Sequence, residues 1–350
     1  MSNINAKDTY ILIPSYEPDE SLITLVNNLL EVGFEIILVN DGSGEKFDHI
    51  FDQVKDKVNY LKQTPNKGKG QALRFGFTFA NLHKKEKKYI ITCDGDGQHS
   101  IQDIIKVNQK LNEVDETVFG VRTFDKNTPK RSRNGNFMSR LCRTTITKQY
   151  LQDDQCGLRG FPLRYMDELI TIRGDHYEYE MNVVCTFQLK CFRIYQIPIE
   201  TIYINNNATS HFSPKLDTFR IQRVIWQYDL IPLLAYLLPF IAFVFVSVLT
   251  KNLFHDMVLF SMAKALEVYA QFGLLCIFYP TKQVGRRAFI EGLFFAVEAS
   301  ISFGLYVVLD YVCKLPLSLS YFLSTFVMVF LNFPLAYLNY TITIKKTKRR

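Results

Sequence analysis

Residues 230–250 read LIPLLAYLLPFIAFVFVSVLT, with no charged side chain in the run. A helix needs about 20 consecutive apolar residues to cross the hydrocarbon core of a bilayer. A soluble helix of that length would carry a polar face. The run therefore predicts a membrane span, and it divides the chain into unlike halves. Before Tyr228 charged and apolar residues are mixed. After it come three further apolar runs, 258–279, 288–309 and 317–340. The run 258–279 contains Lys264 and Glu267, and 288–309 contains Glu291 and Glu298. Ionisable residues inside spans point to function by default, with interhelical polar pairing as the plainer alternative. The mean hydropathy of +0.00 is an average over these two halves.

The short loops set an orientation. Lys282, Arg286 and Arg287 lie between the second and third runs, and the tail 345–350 carries Lys345, Lys346, Lys348, Arg349 and Arg350. The other two loops offer only Lys251 and Lys314. Four spans with the large N-terminal domain, the middle loop and the tail on the cytoplasmic side satisfy both the parity and the charge bias. The start, MSNINAKDTY, has no apolar h-region, so no signal peptide is expected. The expected organisation is a soluble domain 1–214, a basic amphipathic segment 215–229, a membrane domain 230–344 and the basic tail. The segment 215–229 suits the surface of an anionic leaflet, or an ordinary surface helix. The 7 cysteines form no CxxC pair, which points to reduced thiols rather than a disulfide framework or zinc site.

In the soluble half, apolar runs at 9–14, 34–40, 58–61, 88–93 and 116–121 predict buried strands. Helical spacing fills 19–31, 47–57, 70–82 and 100–111. This alternation predicts an α/β fold with a mostly parallel sheet covered on both faces, in which ligands bind beyond the carboxyl ends of the strands. Each strand is followed there by unusual sequence: Pro14-Ser15-Tyr16-Glu17-Pro18, Asn40-Asp41-Gly42-Ser43-Gly44, Asn66-Lys67-Gly68-Lys69-Gly70 and Asp94-Gly95-Asp96-Gly97-Gln98-His99. The first turn has no GxGxxG and the third no Walker spacing. Glycines beside Lys69 still suit a phosphate. Asp94, Asp96 and Gln98 put two carboxylates and an amide oxygen at alternate positions. That set suits Mg²⁺ or Mn²⁺ sharing a diphosphate. An EF-hand fails for want of the Glu at position 12. Arg122, Lys130, Arg131, Arg133, Arg140 and Arg143 supply a basic stretch after the fifth strand. Arg122 with Arg131 or Arg133 could clamp a phosphate bidentately; a basic face on lipid head groups is the alternative.

ILIPSYEPDE, ILVNDGSG, NKGKGQALRFGF and CDGDGQH, in that order, resemble the family 2 glycosyltransferases of the GT-A fold. They are similar in particular to the dolichol-phosphate mannose synthase group and its bacterial polyprenyl-phosphate relatives. The resemblance continues through Phe119–Arg122, Asp153-Asp154-Gln155-Cys156-Gly157-Leu158-Arg159, His176-Tyr177-Glu178-Tyr179-Glu180 and Ser210-His211-Phe212, covering about residues 9–225. It implies a Rossmann-like GT-A domain in which Pro14, Tyr16, Glu17, Asp41, Lys69 and Asp94 hold the nucleotide and Asp96 and Gln98 the metal. Asp153, Gln155, Glu178, Glu180 and His211 fall to the acceptor or sugar side. The chain departs from the family's acidic pair at Asn40-Asp41 and from its Tyr-Asn-Glu at Tyr16-Glu17-Pro18, so both UDP and GDP donors stay open. The last two spans resemble the GtrA-like membrane family, through Asn332-Phe333 and Asn339-Tyr340.

The function this implies is inverting transfer of a monosaccharide from a nucleotide sugar to undecaprenyl or dolichyl phosphate, on the cytoplasmic face of the plasma membrane. Arg122, Arg131 and Arg133 would hold the acceptor phosphate, and Asp94 and Asp96 would serve the leaving diphosphate. A divalent metal and the lipid bilayer are the expected partners, a homo-oligomer is left open, and no nucleic acid is expected. A processive polysaccharide synthase is the first alternative, weakened because Gln222-Arg223-Val224-Ile225-Trp226 lacks the Gln-x-x-Arg-Trp order. A mainly translocating protein that only binds the sugar nucleotide is the second.

Overall fold

The computed structural model describes residues 5–84, 87–122, 140, 143–144, 147–200, 216–250 and 256–347. Arg131, Arg133 and His211 lie outside the described residues. The chain forms two compact units, one of Met1–Arg133, Gln152–Cys185 and Arg193–Val224, the other of Asn134–Leu151, Thr186–Phe192 and Ile225–Arg350.

The first unit is built on a seven-stranded sheet: β1 (Thr9–Ser15), β2 (Glu35–Asp41), β3 (Asn59–Gln63), β4 (Tyr89–Thr92), β5 (Thr117–Arg122), β6 (Arg159–Pro162) and β7 (Ile194–Ile199). Their order is β3-β2-β1-β4-β6-β5-β7. β1 pairs in parallel with β2 and β4, and β2 with β3; only β6 runs antiparallel to its neighbours. The five strands read from the sequence are all present. β6 and β7 were not legible there, because RGFP and IYQIPI contain proline and neither alternates cleanly nor forms a long apolar run.

Period-two alternation sends Ile11, Ile13, Ile36 and Leu38 to one face, where they bury against Leu22, Leu25, Val26 and Leu29 of α1 (Ser21–Val32). A short α2 (Asp48–Phe51) follows β2. The helical spacing at 47–57 yields only this turn flanked by 3₁₀ pieces, Glu45–Phe47 and Lys55–Lys57. Phe51 and Val54 still reach the core from it. On the opposite face α3 (Lys69–Leu82) buries Ala72, Leu73, Phe77 and Ala80. α4 (Ile101–Val114) is capped by Ser100, whose hydroxyl accepts from Asp103 N at 3.1 Å. Two further helices, α5 (Met166–Thr171) and α6 (Glu178–Leu189), follow β6.

The remaining helices are α7 (Leu216–Thr250), α8 (Asp256–Phe278), α9 (Val284–Val307, prolonged by a π-helical turn Val308–Val312) and α10 (Leu317–Thr347). Among the described residues, Val258–Phe278, Val284–Val312 and Leu319–Leu338 are long and apolar enough to cross a membrane. The expected first span, 230–250, is continuous with 216–229 in a single helix, α7. Phe289, Leu293 and Ile301 of α9 are exposed, whereas Ile290, Phe294, Glu298 and Ser302 are buried. An apolar exterior around a more polar interior is the pattern a lipid solvent selects. Arg287 is buried and donates to the carbonyls of Leu275 and Tyr279, both at 2.8 Å, and to that of Leu189. It thereby satisfies the open C-terminal end of α8.

Candidate active site

The register sets the loops side by side. Ser15 pairs with Asn40 and Asp41 with Gln63, so Tyr16-Glu17, the Gly42-Ser43 turn and the Lys67-Gly68 loop leave the sheet at one edge. β4 adjoins β1 and ends at Thr92, which brings Asp94 and Asp96 to the same edge. This is the carboxyl edge of a parallel sheet, where the sequence had put the site.

Asp41 is buried and braces that edge. One carboxylate oxygen accepts from Gln63 and from Lys67 N at 2.9 Å, the other from Gly68 N at 2.9 Å. Gly68 has φ +96°, and a Cβ there would meet the Asp175 carbonyl and His176 Cε1, so the loop requires glycine. Asn40, where the family has an acid, donates to the Tyr60 hydroxyl at 2.8 Å and accepts from Ser43 N at 2.9 Å. Ser43 Oγ in turn accepts from Glu17 N at 2.8 Å. Pro14 is the penultimate residue of β1. Burial and a hydrogen bond with Glu17 push the Tyr16 phenol above its ordinary value.

Lys69, the first residue of α3, carries the central contact. Its ammonium lies 2.6 Å from Asp94 Oδ1 and 2.9 Å from Glu180 Oε2, with the Tyr177 ring 5.6 Å away. Burial works against its charge, but the two carboxylates prevail and hold its pKa above the ordinary value. Asp94 is held well below the usual carboxylate range: burial opposes ionisation, and Lys69 and His99 outweigh it. Asp96 is pushed up by burial and by the negative charge of Asp94, partly offset by the Gln98 backbone N–H, which donates to its Oδ1 at 3.1 Å. Neighbouring carboxylates driven apart in this way mark sites that exchange cations or protons. Gly157 makes room for Asp94, since a Cβ there would sit 2.6 Å from Oδ2.

Arg122, at the end of β5, grips Asp153: Nε donates to Oδ2 at 2.7 Å and Nη2 to Oδ1 at 3.0 Å. Gln155 N donates to the same carboxylate at 3.0 Å. Asp153, Gln155 and Arg122 are thus brought together. Glu178 caps α6 by accepting from Asp175 N and His176 N, while Glu180, two residues on, reaches Lys69.

Three further residues escaped the sequence reading as individuals. His99 is buried with Nε2 3.7 Å from Asp94, and among the described residues neither ring nitrogen has a hydrogen-bond partner. Arg159 is buried and donates to the carbonyls of Cys156, Asp154 and Glu180, tying the Asp153 loop to α6. Gly157 is the third. All three stand within the motifs quoted above, but spacing alone gives no sign that Gly157 faces Asp94 or that Arg159 reaches Glu180.

A family model described as "Glycosyl transferase family 2" matches residues 10–166. An uncharacterized protein of Methanocaldococcus jannaschii is 30% identical over 210 residues, covering 58% of this chain and 85% of its own. The UDP-N-acetylglucosamine–dolichyl-phosphate N-acetylglucosaminyltransferase of Methanococcus voltae is 29% identical over 218 residues, 55% of this chain and 85% of its own. Among solved structures, glucosyl-3-phosphoglycerate synthase from Mycobacterium tuberculosis in complex with Mn²⁺, UDP and glucosyl-3-phosphoglycerate is 14% identical, with a TM-score of 0.46 over 65% of this chain and 82% of that one.

Proposed function

The chain belongs to glycosyl transferase family 2, and from that premise we propose that it transfers a monosaccharide, with inversion, from a UDP- or GDP-linked sugar to a polyprenyl phosphate at the cytoplasmic membrane face. The observation that carries the reading is the convergence of Asp94, Lys69 and Glu180 beside Asp96, in a chain that also holds helices of spanning length. A relative named for dolichyl phosphate as acceptor supports the lipid side. A lipid acceptor also gives the catalytic domain a reason to be joined to spans, because the prenyl tail stays in the bilayer.

The donor set at the acidic turn fits a hard divalent cation. Asp96 and Gln98 offer a carboxylate and an amide oxygen, the hard oxygen donors that Mg²⁺ and Mn²⁺ prefer. A site of that kind leaves positions for diphosphate oxygens. Asp96 and Gln98 would hold Mg²⁺ or Mn²⁺, which when bound neutralises the leaving diphosphate. Lys69, fixed between two acids, orients Asp94 for the donor. The acceptor phosphate has a second pKa of about 6 and arrives already anionic, so attack needs no strong base. The remaining task is to bring two anions together, and Arg122, oriented by Asp153, supplies positive charge for the acceptor. Arg131 and Arg133 would join it there.

The test incubates membranes bearing the full chain with polyprenyl phosphate and labelled UDP- and GDP-sugars, with added Mg²⁺, Mn²⁺ or chelator. Label is expected in an acid-labile lipid monosaccharide, and chelator is expected to stop it. Label passing into long glycans with no lipid monosaccharide would establish the processive alternative instead.

A further inference from the structure

Residues 172–177 join α5 to α6 and fold onto the start of α3. The Asp175 carbonyl accepts from Gln71 N at 3.1 Å, one of the N–H groups that the first turn of α3 cannot satisfy within the helix. The Asp175 carboxylate accepts through one oxygen, Oδ1, from Gln71 Nε2 at 2.9 Å and from Arg74 Nη2 at 2.5 Å. Arg74 Nη1 donates to the Ile172 carbonyl at 3.1 Å, so a single guanidinium holds the turn at two points. On the side of α6, Asp175 N and His176 N donate to Glu178 Oε1 at 3.0 and 3.2 Å, and Asn182 Nδ2 donates to the Arg173 carbonyl at 2.9 Å. A Cβ on Gly70 would lie 2.6 Å from the Gly174 carbonyl oxygen and 2.6 Å from Tyr179 Cβ. Gly68 and Gly70 thus form a socket for the turn. The sequence suits these glycines to a phosphate, but the turn occupies the space they leave.

Lys69 stands between the two socket glycines, and Glu180 lies in the first turn of α6, just beyond Asp175. Their 2.9 Å contact bridges the two helix starts. The Asp175 side chain is 56% exposed, and an ion pair that open to water adds little to overall stability. Its bonds bear instead on one relation, the register of α6 against α3. We propose that Asp175 is a positioning residue: through Gln71 and Arg74 it docks the turn 172–177 into the glycine socket and so fixes where Glu180 meets Lys69 and, through Lys69, where Asp94 is held. The inference rests on the sugar-transfer reading for what the site does, while the docking has a readout of its own.

The full chain in lipid nanodiscs is compared with Asp175→Ala, Asp175→Asn, Arg74→Ala and the double variant Asp175→Ala/Arg74→Ala. Hydrogen–deuterium exchange reads the docking without any transfer. Asp175→Ala is expected to speed exchange together in 67–72 and 176–182 and to leave the central strands unchanged. In transfer to polyprenyl phosphate its kcat is expected to fall about 10²-fold, the scale on which a misplacement of about 1 Å is felt. KM for the nucleotide sugar and Tm stay at their wild-type values. The double variant loses no more than the single ones, as residues acting through one contact should. Asp175→Asn, which keeps Oδ1 as an acceptor, recovers most of the rate. Unchanged exchange in 67–72 would overturn the proposal whatever the reaction is. So would an Asp175→Ala variant that transfers at the wild-type rate where Asp96→Ala does not. A rate loss matched by a loss of Tm in Asp175→Ala and Arg74→Ala would make Asp175 a support of the fold alone, and would overturn it too. If the wild type itself transfers no sugar to a prenyl phosphate, the functional reading fails, and the exchange result still decides the docking.

Discussion

Lys69 and Lys148 are each set between two carboxylates, with closest distances of 2.6 and 2.8 Å. The chemistry is the same and the setting is not. Around Lys69 the three side chains keep 18, 30 and 15% of their exposure; around Lys148 they keep 3, 11 and 7%. An open triad can exchange a partner for an incoming anion or metal. A closed one can only hold chain segments together. Perturbation of the first should therefore register in activity, and perturbation of the second in stability.

The largest effect is expected next to the open triad. Asp96→Ala should reduce transfer to lipid by about 10³-fold, the scale on which loss of one group stabilising developing charge is felt. Lipid-extractable label per mole of folded protein is the measurement, and near-normal transfer would remove Asp96 from the metal site. Lys69→Met comes next, with transfer down about 10²-fold. It leaves Asp94 and Glu180 without their common cation, so some loss of Tm accompanies it. Glu180→Gln retains the Lys69–Asp94 contact and should cost less activity than Lys69→Met; an equal loss would show that Glu180 itself meets substrate.

Lys148→Met probes the closed triad. Removing one partner of a buried ion pair costs about 3–5 kcal/mol, to be read as a lowered denaturation midpoint in the full chain. The fraction that remains folded should transfer at the wild-type rate. If that fraction were inactive, the contrast between an open functional lysine and a closed structural one would fail.

Much of this contrast was legible in the sequence. The apolar β-branched strands and the Gly- and Asp-rich turns after them reported the sheet and its functional edge, because strand burial and turn chemistry are local properties. Asp94, Asp96, Lys69 and Glu180 were each visible as candidates. Their joining was not: Glu180 lies far along the chain from Lys69, and only the packing of α3 near α6 makes the contact. Asp41 illustrates the same limit. It stood out as a nucleotide contact, yet its carboxylate is taken up by the backbone of the loop it faces. β6 and β7 were hidden because proline and a mixed pattern obscured their period, although tertiary pairing still recruits them. The carboxylates of α9 were seen inside a predicted span, but the lysine that answers them, Lys148, comes from a segment before the spans, which no helical periodicity can indicate.

The smallest expected effect concerns the Arg122–Asp153 pair, which combines a half-open cation with a sealed anion. Burial opposes ionisation of Asp153, but the Arg122 guanidinium and two backbone N–H donors outweigh it and hold the carboxyl below its ordinary value of 3.8. A depressed folded-state pKa means that the unfolded chain binds the proton first as pH falls. The stabilisation is therefore fully present above the ordinary value and is lost as pH drops below 3.8 through the folded-state value. In urea unfolding of the full chain, wild type should exceed Asp153→Asn by a constant margin above about pH 5, and the margin should narrow on further acidification. A margin that does not change with pH would mean that Asp153 supports the loop through its shape and hydrogen bonds alone, and that Arg122 is held for the acceptor by something other than its charge partner.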